Sequence, residues 1–196
     1  YTRMREDKLQ MASSHIQHMQ KALIQMNVRL PEVLSQTHGA SGIAMIKAIL
    51  EGERKPENLL KYCTNTLLKN KGADILLALD GNYKEEYLVE LNQAYTGYQF
   101  YLELVKECDL QAGKVLTEFN KKSGTGFTDK NLIKPIRHNK PQINQLHELL
   151  LGIHGANPTT LPGLTDYSLL KLTAELGNDV NQWPTVKNFV SWLGLA

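Results

Sequence analysis

Ten positions, Tyr87, Leu91, Ala94, Tyr98, Tyr101, Val105, Cys108, Ala112, Val115 and Phe119, follow one another at alternating steps of four and three without a break. Apolar residues at that period line one side of an α-helix, and a stripe this long leaves the chain little choice but a single extended helix. A flanking row, Leu88, Tyr95, Leu102 and Leu116, widens the face to three positions per heptad. A face that wide suits packing against more than one neighbour. The same period runs through Leu9, Ala12, Ile16, Met19, Leu23, Met26 and Leu30, up to Pro31. Proline in a helix interior loses a hydrogen bond and clashes with the preceding turn, so the first helix is predicted to end there. Together the stripes predict two coiled-coil helices, 1–30 and 84–120, forming a stalk.

The intervening residues 31–83 read as a small helical insert at the stalk's tip. His38-Gly39-Ala40-Ser41-Gly42 is predicted as a glycine-bracketed turn leading into an apolar helix from Ile43 to Leu50. Pro56 opens another helix carrying Leu59, Leu60, Cys63, Leu67 and Leu68. Lys71-Gly72 and Asp80-Gly81-Asn82 bound a last short helix from Ala73 to Leu79. Beyond the stalk, Ile143, Leu146, Leu150 and Ile153 mark a helix stopped by Gly155 and Pro158. A further helix bears Leu169, Leu172, Thr173 and Leu176 and ends at Gly177, and Pro184-Thr185 begins a final one with Val186, Phe189, Val190 and Leu193. No segment alternates with period two over a convincing strand length, and the fold class is all-α.

Charge is unevenly placed. Residues 1–119 hold 14 basic and 15 acidic side chains, whereas 120–140 hold six basic and one acidic, so the net +2 conceals one concentrated positive stretch. Its members, Lys121, Lys122, Lys130, Lys134, Arg137 and Lys140, lie among Gly124, Gly126 and Pro135, and the segment 121–142 reads as a basic linker. Such a linker is either a solvated hinge or a contact for nucleic acid. Apolar runs such as Ile75 to Leu79 are far shorter than a bilayer span, which predicts a soluble chain without membrane attachment. Cys63 and Cys108 lie within helical patterns with no CxxC spacing, which excludes a disulfide framework and a structural zinc site and fits a reducing cytoplasm. A start at Tyr1 and an apolar run cut off at Ala196 read as a piece of a longer protein.

Catalytic signatures are missing: no GxGxxG or GxxxxGK[ST] phosphate loop, no HExxH and no GxSxG. His15 and His18 share a helical face without a further ligand, and Glu51, Glu53, Glu85 and Glu86 stand at helix ends, where carboxylates cap and solvate. The most distinctive local feature is Leu161-Pro162-Gly163-Leu164-Thr165 between two short helices. Backbone N–H groups at a tight turn before a helix can hold an anion, with Gly163, Leu164 and Thr165 as the candidate positions, although Asp166 directly after the turn would oppose a phosphate. An ordinary interhelical turn is the alternative.

Residues 156–196, with Leu161, Pro162, Gly163, Leu164, Leu170, Glu175, Leu176, Gly177, Pro184, Lys187, Phe189, Gly194 and Leu195 on matching places, resemble the start of the C-terminal domain of DEDD-type insertion-sequence transposases. These are the insertion-sequence family one-hundred-and-ten and its relatives, kin of the Piv DNA invertases. Upstream, Gly39, Gly42, Ala48, Ile49, Gly52 and Glu53 resemble the insert in that family's coiled-coil region. One position departs, Thr165 standing where the hairpin usually has a second glycine.

The resemblance implies an acidic, divalent-metal (magnesium) nuclease domain before Tyr1 and a catalytic serine after Ala196. Ser191 does not match that serine's position, so the chain itself would hold no cofactor and no catalytic residue. It further implies a bacterial, cytoplasmic protein that mobilises insertion-sequence DNA, with DNA and a structured guide RNA as partners. The stalk would join protomers into a homo-oligomer, and residues 143–196 would begin a helix-hairpin-helix-like domain. A structural coiled-coil scaffold without nucleic-acid binding is the competing reading.

Overall fold

The computed structural model describes residues 1–129, 134–136, 138–177, 182–192 and 194. Among these there are helices and no strand. Helix α1 is Thr2–Gln25, α2 Leu30–Val33, α3 Ala40–Leu50, α4 Pro56–Leu59, α5 Asn65–Ala78, α6 Glu85–Ser123, α7 Leu146–His154, α8 Asp166–Leu176 and α9 Val186–Trp192. The chain divides into two compact units, residues 7–104 and residues 1–6 with 105–196, so the boundary falls inside both long helices and cuts across the expected stalk. None of the helices, among the described residues, is long and apolar enough to cross a membrane.

In the unit 7–104, the stripes of α1 and α6 meet as expected. Ala12, Met19, Leu23, Leu91, Ala94 and Tyr98 are buried in one cluster with Met45, Ile46, Ile49, Leu59 and Ile75 of the insert. The pairing is antiparallel. His15 stacks on Tyr101 at 5.4 Å, whereas Lys21, farther along α1, reaches back to Glu90 at 3.3 Å. Gly97 makes the approach possible, since a Cβ there would stand 2.3 Å from the His15 ring.

Three boundaries differ from the sequence reading. Helix α1 stops at Gln25, not at Pro31. Asn27 takes a left-handed φ of 58°, and Val28 N–H donates to Leu23 O at 2.8 Å while Asn27 N–H donates to Ile24 O at 2.9 Å. That is a Schellman close, which asparagine tolerates and the burial of Val28 rewards. Leu30 therefore belongs to a separate turn in which Pro31 occupies the first helical positions.

The glycine-bracketed turn is also shorter than expected: Gly39 is the N-cap of α3, and Ser41 and Gly42 are already helical. A Cβ on Gly42 would lie 2.0 Å from the Thr37 carbonyl oxygen, so glycine here serves a close approach rather than a turn. Finally, the expected helix from Pro56 through Leu68 breaks after Tyr62. Thr64 caps α5, accepting from Leu67 N–H at 3.3 Å, and Gly72 lies inside that helix instead of bounding it.

In the other unit, Leu116 of α6, Leu146, Leu150 and Ile153 of α7, and Leu169 and Leu170 of α8 form a second core, with Phe119, Ile143, Leu149 and Tyr167 packed on it. Gly155 closes α7 with φ 64° and Gly177 closes α8, both as the sequence predicts. On α8 Leu169 and Thr173 are buried as expected and Leu170 joins them, while Leu172 and Leu176 are only half-buried. On α6 the buried stripe likewise passes to Leu116, leaving Val115 53% exposed.

Candidate nucleic-acid interface

The described residues singled out for nucleic-acid contact lie in the unit formed by residues 1–6 and 105–196. Lys121 and Lys122 stand exposed on the last turn of α6, where cations also favour the negative end of the helix dipole. Lys140 is exposed on the approach to α7. None of these three has an ion-pair or hydrogen-bond partner among the described residues. Lys130 and Arg137 lie outside the described residues.

Lys134 is used differently. Its Nζ donates to Leu161 O at 2.6 Å and to Leu164 O at 3.3 Å, so it fastens the basic segment onto the turn. The two features picked out separately in the sequence thus meet through one lysine, which clasps carbonyl oxygens rather than standing free. Gly163 has φ +82° with no atom within 4 Å of a hypothetical Cβ, so conformation and not space demands glycine. Pro162 before it and Leu164 N–H donating to Leu161 O at 3.4 Å give a turn of the Pro-Gly kind.

One backbone donor at this turn is already used. Thr165 is the N-cap of α8 and its Oγ1 accepts from Ser168 N–H at 3.3 Å, which uses a donor that an anion would need. Asp166 follows, buried in the first helical turn. Its Oδ1 is 2.7 Å from Nδ1 of His147, itself buried on α7. Gly163, Leu164 and Thr165 shape the turn, and Lys134 brings a positive charge to it.

Several described residues of the basic segment are bonded to the rest of the unit. Thr125 N–H and Oγ1 both donate to Gly152 O, at 2.8 and 3.1 Å. Asn157 Nδ2 donates to Asp129 Oδ2 at 2.7 Å. Farther on, Arg5, only 3% exposed, donates through Nε to Asp109 at 2.6 Å, through one terminal nitrogen to the Tyr167 hydroxyl at 2.9 Å, and through the other to Asn139 O at 2.8 Å. The second oxygen of Asp109 accepts from Gln142 N–H at 2.9 Å. A buried arginine bonded through each of its three guanidinium nitrogens fixes residues 139–142 against α6 and α8. Nothing in the spacing of Arg5 and Asp109, 104 positions apart, signals this pair in the sequence.

Two further groups have altered acidities. Lys171 beside Glu6 is held above the usual ammonium range by that hydrogen bond, and its Nζ lies 4.6 Å from the Tyr167 ring centre. Burial pushes His154 below the ordinary imidazole value; its Nε2 is 2.8 Å from Thr173 Oγ1, which in turn donates to Leu169 O at 2.7 Å. Among the described residues no three His, Cys, Asp or Glu side chains gather as a metal site.

No protein-family model, curated protein or solved structure matches the chain.

Proposed function

We propose that the chain is a non-catalytic, nucleic-acid-binding and oligomerising portion of a transposase or site-specific recombinase that mobilises insertion-sequence DNA. The observation that carries the binding part is the set of unpartnered cations, Lys121 and Lys122 on the last turn of α6 and Lys140 between the anchored Asn139 and Gln142. Fixed charges lose less entropy on meeting a phosphate backbone than charges on a flexible tether. The transposase assignment rests on the resemblance of Leu161 to Leu164, Gly177 and the Gly39 to Glu53 insert. The partners in this reading are DNA and a structured RNA, bound through the backbone and without base readout. Magnesium and the chemistry of strand transfer belong to sequence outside this chain, and the parent protein would work in the bacterial cytoplasm.

The test is equilibrium binding of labelled duplex DNA and of a structured RNA to the whole chain at low salt, repeated as salt is raised. Affinity that falls steadily with salt is the expected result. A scaffold with no nucleic-acid role would bind neither at any salt, and that outcome would overturn the reading.

A further inference from the structure

Lys134, Lys140, His147, Glu148 and Asp166 line one cleft of about 510 Å³ in the unit that carries the basic segment. His147 is 6% exposed and is held by Asp166 through Nδ1, yet its Nε2 is buried with no partner. Buried polar atoms without a partner are uncommon, and each calls for an explanation such as an ion or ligand that completes it. The titratable groups that line the cleft with the ring are Asp166 from α8, which bonds it, Glu148 on α7, and Lys134 and Lys140 from the preceding segment. Asp166 is engaged by His147 Nδ1, Glu148 and Lys140 are both exposed, and Lys134 and Lys140 supply the cleft's two cations. Lys134 spends two N–H groups on Leu161 and Leu164 and keeps a third with its charge.

We propose that this cleft is a phosphate seat in which His147 Nε2, Lys140 and Lys134 hold the oxygens. A phosphate satisfies Nε2 in either state of the ring: its oxygens accept from Nε2–H of the imidazolium, and the P–OH of a hydrogen phosphate donates to the bare nitrogen of the neutral ring. Because Nε2 is covered, the cleft wall must give slightly as the ligand enters, and the exposed side chains of Lys140 and Glu148 are free to do so. Where the phosphate belongs to a strand, this inference rests on the nucleic-acid reading and adds His147 to it. Where it is free or terminal, the seat stands without that reading.

The test is the imidazole nitrogen spectrum of the whole chain, with His147 assigned by its loss in His147→Gln, during titration with inorganic phosphate and, separately, with duplex DNA, using chloride to hold ionic strength. A saturable shift of the His147 signals with phosphate but not with chloride, weakened at least threefold in Lys140→Ala, is expected. If phosphate moves His147 and the duplex does not, the seat takes a free or terminal phosphate. Should His147→Gln not fold, the Lys140→Ala comparison on an exposed side chain carries the test. Signals unmoved by both ligands would overturn the seat, and retained salt-dependent duplex binding in that case would leave the nucleic-acid reading standing.

Discussion

Two glycines of similar appearance in the sequence have opposite roles. Gly42 admits the Thr37 backbone at a distance no side chain allows, whereas a Cβ on Gly72, inside α5, would meet only a Leu68 methyl at 4.0 Å. Gly42→Ala is expected to destabilise by about 2 kcal/mol or more through forced overpacking. Gly72→Ala should stabilise by about 0.5–1 kcal/mol, since a helix interior prefers alanine. Chemical denaturation of the two variants checks both signs. His154 makes a pH-dependent contribution. Burial lowers its folded value, so the unfolded chain binds the extra proton first; the protein is unaffected well above pH ~6.5 and loses stability as pH falls through that ordinary imidazole value. His154→Gln should flatten the stability profile between about pH 7 and 5, and an unchanged slope would show that another group is responsible.

At the scale of elements, the long stripe of α6 was legible because period alone places its buried face, and Gly155 and Gly177 were legible because a left-handed close favours glycine. The end of α1 was not: the Schellman close at Asn27 competes with the continuing heptad, and burial of Val28 decides it. The break between α4 and α5 was hidden for a similar reason, because Leu59, Cys63 and Leu67 keep helical spacing across a chain reversal that only the Thr64 cap reveals. Sequence pattern could not show the anchors of the basic segment's described residues, Arg5, Asp109 and Gly152, because all are remote in the chain. Removing either partner of the buried Arg5 and Asp109 pair should cost about 3–5 kcal/mol, while Arg5→Met with Asp109→Leu should recover much of it. A double-mutant cycle by urea denaturation measures the coupling, and additive losses would show that the pair does not act as a unit.

For the whole molecule, self-association has less to drive it than the long apolar stripe suggests. Tyr95, Tyr98 and Tyr101, the side chains expected to need a partner, are already packed within the unit 7–104. What remains uncovered on α6 includes Phe100, 57% exposed, and Leu110, 57% exposed. Association through such residues is expected to be modest, appearing as concentration-dependent sedimentation at tens of micromolar and weakened by Phe100→Ser; a strict monomer throughout that range would remove oligomerisation from the proposed function.

Charge placement decides where nucleic acid would bind. Among the described residues of the basic segment the unpartnered cations are Lys121, Lys122 and Lys140, while Lys134 spends two N–H groups on the turn at Leu161 and Leu164, so the decisive variant replaces the first three by alanine and leaves the fourth. The measurement is the slope of log affinity against log salt for duplex DNA, which becomes shallower by about 0.9 for each phosphate that the protein no longer neutralises. The triple variant is expected to bind more weakly, with a slope shallower by up to about three phosphates' worth. A slope equal to that of the unaltered chain would place the binding surface elsewhere and contradict the assignment of nucleic-acid binding to this segment.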